Sequence, residues 1–260
     1  MLSQDQRAEA ARTLLAAEHS RVQAERLSQT YPGIGIEDAY AISREVAETR
    51  ARTGDRLIGH KVGLTSKAMQ AASKIDEPDY GHVFASMLIE DGATVAHADF
   101  CVPRVEPELT FILKSPLTGP GLTLEDVIAA TDWVVPSIEI IDARVTEPRR
   151  IFDTVADNGA AAGLVLGTER FRPEEIDWRW AGALFRRNGE IEETGIAAGV
   201  MDHPANAVAW LGNKLSIYGG ALEAGHMVLS GSFTRPVWAD PGDRLEADFG
   251  PLGRVSVTFS

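Results

Sequence analysis

Of the chain's 260 residues, 44% are hydrophobic and 24% charged, a balance that excludes a mainly disordered chain and favours one large globular unit. With 38 acidic against 25 basic side chains the formal charge is −13, which argues against a nucleic-acid or anionic-membrane partner because nothing offsets phosphate repulsion. The single cysteine, Cys101, excludes an internal disulfide or a CxxC metal site. Met1–Arg7 lacks the apolar core of a signal peptide, and no stretch approaches about 18 uninterrupted apolar residues, so a cytoplasmic protein is expected.

In chain order, the pattern predicts a helix from Asp5 to about Gln29, where Ala11, Leu14, Leu15 and Val22 recur at helical spacing until Tyr31-Pro32-Gly33 breaks the run. A second helix is predicted from Glu37 to Arg52, with Ala39, Ile42, Val46 and Ala47 as its apolar stripe and Gly54 closing it. Beyond Asp55 the texture becomes strand-like. Leu57–Leu64 reads as a buried strand with glycines where backbone or ligand comes close. Further strands are predicted at Thr94–His97, Leu109–Leu113, Trp133–Ile141, Gly163–Leu166, Ala181–Arg187, Met227–Leu229, Arg244–Phe249 and Arg254–Phe259. Asn188-Gly189 marks a hairpin, because both turn positions favour positive φ. Helices interrupt at Leu124–Thr131, capped by Thr123, and at Pro204–Leu215. The strands and helices do not alternate as βαβ units, so the expected fold is mixed α+β with a β-rich core, not a doubly wound sheet. Residues 1–55 read as a helical region packing on one catalytic core, 56–260.

Chemistry concentrates in Pro103-Arg104-Val105-Glu106-Pro107-Glu108. Residues two apart in a strand share a face, so Glu106 and Glu108 project together and need a cation or a shared proton. Pro107 between them cannot donate to a ladder, which predicts an edge or a bulge. A third acid, Glu139, interrupts an apolar run that should be buried. Three carboxylates with an open coordination sphere suit Mg²⁺ or Mn²⁺. The same spacing also occurs on solvated strands, and a buried Glu can instead be balanced by an Arg. Lys61 lies in an apolar, glycine-flanked strand. There it either snorkels to the surface or, desolvated and with a lowered pKa, moves protons. Glu77-Pro78-Asp79-Tyr80-Gly81 reads as a turn that offers an acid and a phenol. His60 and His82 lack any paired ligand spacing and read as structural; His203 reads as a neighbour of the helix that starts at Pro204. Ser230–Arg235 is either a simple turn or a carboxylate site built from hydroxyls, backbone N–H groups and Arg235.

Taken together, Glu106-x-Glu108 followed by Glu139, Gly59-His60-Lys61-Val62-Gly63-Leu64-Thr65-Ser66, Glu77-Pro78-Asp79-Tyr80-Gly81, Phe152–Asn158, His203-Pro204-Ala205-Asn206 and Gly231–Pro236 resemble the fumarylacetoacetate hydrolase superfamily. Within it the chain is similar to the bacterial hydratases and decarboxylases of catechol meta-cleavage pathways, over nearly its whole length. The resemblance implies a β-roll, barrel-like core with N-terminal helices, a homo-oligomer, and Mg²⁺ (or Mn²⁺) on Glu106, Glu108 and Glu139. It implies a small-molecule 2-oxo acid substrate, with Lys61 and Asp79 at positions that line the active site and expected to be catalytic; Asn158, Ser232, Thr234 and Arg235 are the candidate substrate-binding residues, Arg235 for a distal carboxylate. Water addition to a 2-oxo or 2-hydroxydienoate is the implied reaction; decarboxylation or C–C hydrolysis on the same scaffold, or a catalytically silent binding protein, are the alternatives. Two segments depart from the pattern and are expected to border the substrate's far end: the short connection from Ala143-Arg144 to Arg149–Phe152, and Gly81–Ser86.

Overall fold

A computed structural model of the chain describes residues 1–73 and 75–260. Seven α-helices appear among them: α1 (Gln4–Ser20), α2 (Leu27–Thr30), α3 (Ile36–Arg52), α4 (Lys67–Ser73), α5 (Leu124–Ala130), α6 (Ile151–Ala156) and α7 (Pro204–Ser216). The strands are β1 (Leu57–Gly63), β2 (Asp79–Phe84), β3 (Leu88–Glu90), β4 (Thr94–Val95), β5 (Pro103–Leu113), β6 (Thr131–Asp142), β7 (Ala161–Leu166), β8 (Gly182–Arg187), β9 (Glu190–Ile196), β10 (Met227–Leu229), β11 (Val237–Trp238), β12 (Arg244–Asp248) and β13 (Arg254–Phe259).

The fold is mixed α+β, as the pattern implied. One sheet runs β2-β1-β10-β5-β6-β7-β3, with β11 also pairing β5; the other runs β4-β13-β12-β8-β9. The first sheet rolls up on itself. Its end strand β2 comes back against the start of β7, so that a methyl group on Gly81 would touch Ala161. Ile58, Val83, Phe84, Met87, Leu164 and Leu229 fill that seam as an apolar cluster. A larger core joins the two sheets to the helices, and Ala10, Leu14, Leu27 and Ile42 of the N-terminal helices belong to it together with Val105, Leu109, Ile138 and Phe185. Burying each of these large aliphatic or aromatic side chains contributes roughly 1.5–3 kcal/mol.

Two expectations need correction. The first helix ends at Ser20 and does not run to Gln29, because Arg21 adopts the left-handed conformation (φ 60°) and turns the chain. Pro107 lies on neither an edge nor a bulge: β5 is interior, paired along its length with β6, with Pro107 opposite Ile138. On its other side β10 covers Thr110–Ile112 and β11 covers Arg104–Val105, so Pro107 falls in the gap between two short partners, where no ladder donor is required.

Candidate active site

Strands β5 and β6 build the acidic half of the site. Along β5, Val105, Leu109 and Phe111 go to the core, and the alternation sends Arg104, Glu106, Glu108 and Thr110 to the opposite face. The antiparallel register sets Glu106 directly across from Glu139 and Glu108 across from Ser137. Ser137 Oγ donates to the Glu108 backbone oxygen at 3.1 Å and accepts from Thr110 Oγ1 at 2.8 Å, so it leaves the Glu108 side chain free. One carboxylate oxygen from each of Glu106, Glu108 and Glu139 falls within 4.8 Å of the others. Glu108 Oε2 accepts from the Gly231 N–H at 2.8 Å, while Glu139 Oε1 is buried with no partner. Burial raises the pKa of all three, and mutual repulsion raises Glu106 and Glu108 further; Lys61 opposes the rise. Three carboxylates at this spacing, two buried and one half-buried, with one oxygen orphaned, form an all-oxygen donor set that fits a hard divalent cation.

The hairpin of β1 and β2 supplies the other half. Its pairing places Lys61 opposite Gly81 and Gly63 opposite Asp79. Both charged residues are buried, Lys61 Nζ lies 3.7 Å from Asp79 Oδ1, and neither Asp79 oxygen has a hydrogen-bond partner. Asp79, expected in a turn, instead opens β2. The glycines make room for this pair: a methyl group on Gly63 would land on Asp79 Oδ1 and 2.9 Å from Lys61 Nζ, and one on Gly159 (φ +59°) would lie 2.6 Å from Lys61 Cε. The expected lowering of the Lys61 pKa is corrected. Burial disfavours its ammonium, but Glu139, Asp79, Glu106 and Glu108 outweigh burial and hold it above the ordinary lysine value.

Lys61, Asp79, Glu106 and Glu108 line one cavity of about 170 Å³ with Ser232 and Thr234. Asn158 does not line it. Its side chain instead clamps β2, accepting from the His82 N–H at 2.7 Å and donating to the His82 oxygen at 2.9 Å, and so sets the turn that brings Gly159 against Lys61. Arg235 also stays outside, its side chain 78% exposed and paired with Glu193. Ser232 Oγ is engaged with the backbone of Thr234. Of the two divergent segments, the connection after β6 reaches the cavity through Arg149, and Gly81–Ser86 does not. Arg104 lines the cavity too, its pKa lowered by burial and then by neighbouring Arg149. The strand alternation that pairs Glu106 with Glu108 carries Arg104 with them, which is the signal that identifies it; Arg149 sits in an irregular loop with no such periodicity.

The family model for the C-terminal region of fumarylacetoacetate (FAA) hydrolase matches residues 53–260. The chain belongs to the fumarylacetoacetate hydrolase family. Within that family it is 52% identical to 2-oxo-hept-4-ene-1,7-dioate hydratase of Escherichia coli across 96% of each chain. It is 40% identical to 2-hydroxyhexa-2,4-dienoate hydratase of Comamonas testosteroni across 90% of each. The solved structure of 4-oxalocrotonate decarboxylase from Pseudomonas putida G7, complexed with magnesium and adipate, superposes with a TM-score of 0.97 at 32% identity, covering 100% of this chain and 99% of that one.

Proposed function

We propose that the protein is a divalent-metal-dependent hydro-lyase that adds water to a 2-oxo or 2-hydroxydienoate from aromatic meta-cleavage, 2-oxo-hept-4-ene-1,7-dioate being its substrate. The observation that carries this reading is the juxtaposition of the Glu106–Glu108–Glu139 cluster with the Lys61–Asp79 pair, Glu106, Glu108, Lys61 and Asp79 lining one cavity and Glu139 lying directly behind them. The 52% identity to the E. coli hydratase supports the choice of substrate. Glu106, Glu108 and Glu139 hold Mg²⁺ (or Mn²⁺). When bound, the ion supplies Lewis acidity at the substrate's C2 oxygen and a template for its C1 carboxylate. Asp79, with neither oxygen hydrogen-bonded, accepts the proton that leaves the dienol or the adding water. Lys61, kept as an ammonium, donates to the developing negative charge on the substrate and returns a proton to its carbon chain. Gly63 and Gly159 keep this pair within reach, and Asn158 acts behind it as a positioning residue.

Decarboxylation is the second reading, favoured by the near-complete superposition on the decarboxylase. Incubating the protein with Mg²⁺ and a panel of 2-hydroxydienoates tests both. Loss of ultraviolet absorption with a product one water heavier is the expected result; release of CO₂ puts decarboxylation first, and no consumption in the presence of metal refutes both.

The active form is a homo-oligomer acting in the cytoplasm, with residues 56–260 as its catalytic core and residues 1–55 packed onto it. Leu184, Ile191 and Ile196, exposed on the β8–β9 hairpin, support self-association, which light scattering measures directly.

A further inference from the structure

Arg104 and Arg149 are not engaged by the proposed chemistry, yet both face its cavity. Arg104 leaves β5 on the same face as Glu106, about 6.6 Å along the strand at two residues' rise. Its guanidinium sits 4.9 Å from the centre of the Trp238 ring, the residue paired with it across β11. Stacking on the ring face fixes the plane of the guanidinium and leaves its N–H edge free. Among the described residues Arg104 makes no ion pair and no side-chain hydrogen bond. Arg149 enters from the loop after β6, its side chain only 12% exposed, and its single ion pair is to Glu147, itself largely exposed. Two guanidiniums thus converge on one cavity wall: Arg149 is paired with solvent-facing Glu147, and Arg104 feels Glu106, Glu147 and Asp142 without forming an ion pair to any of them. Placing like charges together largely out of water, one of them with no ion pair of its own, leaves a guanidinium edge that an anion in the cavity would satisfy.

From this geometry we infer that Arg104, assisted by Arg149, is the specificity-determining receptor for a second carboxylate on the substrate, and that it selects dioates over monoacids. The inference rests on the proposed function in one respect: the first carboxylate is taken to sit at the glutamate end. A dianion then spans the cavity from the acidic cluster, through its metal, to the arginine wall, and its far carboxylate meets the guanidinium edge as a planar fork. A monoacid leaves Arg104 facing an apolar tail. Arg235, paired with Glu193 on the outer surface, does not compete for this role.

The test compares the wild-type protein with Arg104→Met, which keeps much of the stem and removes the charge, and with Arg149→Met. Calorimetric titration in Mg²⁺ with 2-oxoadipate and 2-oxohexanoate, saturated acids that cannot be hydrated, reads the preference independently of turnover. The wild type should bind the dioate about 10- to 100-fold more tightly, the span expected of a charge-assisted contact. Arg104→Met should remove most of that preference, and Arg149→Met part of it, with the circular dichroism spectrum unchanged. If the wild type binds both acids equally, or if Arg104→Met retains the full preference, the inference is overturned. If turnover on dienoates fails while the calorimetric preference and its loss in Arg104→Met are observed, the hydratase reading falls and the receptor stands. Should Arg104→Met misfold, Arg104→Lys replaces it, and the expected result is a reduced preference, because a point charge cannot reproduce the fork.

Discussion

On the face of the β1–β2 hairpin turned away from the catalytic pair, His60 and His82 stand directly across from each other, ring centres 5.3 Å apart, and His226 lies 5.7 Å from His60. Tyr80 meets both rings edge-on, Phe84 abuts His82, Arg44 adds positive charge near His82, and among the described residues Glu223 is the carboxylate that acts on the cluster, at His226. Burial, and then the neighbouring imidazoles, hold His60 well below the ordinary value; burial also lowers His82, although Asn158 partly opposes it. The sign follows from proton uptake. The unfolded chain takes up protons near pH 6.5 while the folded chain resists, so stability rises with pH and is lost as pH falls below about 6.5. Between pH 7 and 5.5 His60, held well below its ordinary value, removes about 1 kcal/mol, and His82 acts in the same direction. Half-exposed His226 contributes less. Glu106, Glu108 and Glu139, raised by burial, act in the opposite direction when no metal is bound, so the raw pH profile is a composite. The difference between wild type and His60→Leu isolates the histidine term. Urea midpoints at pH 7 and 5.5, in saturating Mg²⁺, should show the wild type losing about 1 kcal/mol more than the variant on acidification. Parallel losses would falsify the assignment of His60 as a buried neutral group.

Three further outcomes follow from named contacts. Glu139→Gln should cut Mg²⁺ affinity by more than the roughly 10–100-fold that losing an outer partner costs, and should raise the urea midpoint in EDTA by relieving buried repulsion; calorimetry and denaturation read the two effects, and unchanged Mg²⁺ affinity refutes the ligand role. Gly63→Ala drives a methyl group into Asp79 and Lys61, so kcat should fall by about 100-fold while Mg²⁺ binding persists; near-normal turnover contradicts a catalytic pair. Arg144→Met strips Asp157 of its Nε contact at 2.6 Å and removes the bonds to the Asp142 and Ala161 oxygens, a loss of about 3–5 kcal/mol by urea unfolding; a cost under about 1 kcal/mol would show that the buried pair is dispensable.

How much of this was legible in the sequence depended on whether a residue's role is set by local periodicity or by tertiary neighbours. Strand alternation placed Glu106 and Glu108 on one face, and the apolar run around Glu139 marked it as buried; the register that sets Glu139 opposite Glu106 supplies the rest. The Asn188-Gly189 hairpin was readable because the turn demands positive φ, and the two residues have φ values of 54° and 90°. The end of α1 was not, since nothing in Arg21 itself announces a left-handed cap. Lys61 illustrates the sharper limit. Desolvation is legible from an apolar strand, but the sign of its pKa shift depends on four carboxylates brought in from β2, β5 and β6. Arg235 illustrates the converse: a basic residue beside a polar turn looks like an anion receptor until Glu193 of β9 is seen to hold it on the surface.

Pro107 connects the fold to the chemistry. A proline in an interior strand removes one ladder donor, and the sheet accommodates it by leaving a break between β10 and β11 on that side. The chain crosses the break as Ser230–Pro236, and its N–H groups are directed by the gap: Phe233 donates to the Pro107 oxygen at 3.3 Å and Gly231 donates to Glu108 Oε2 at 2.8 Å. Ser232 and Thr234, between and beyond these two anchors, become cavity wall. The residue that cannot complete the sheet is therefore the one that makes room for this segment, whose Gly231 N–H holds the Glu108 carboxylate while its Ser232 and Thr234 wall the cavity beside the two glutamates that flank Pro107.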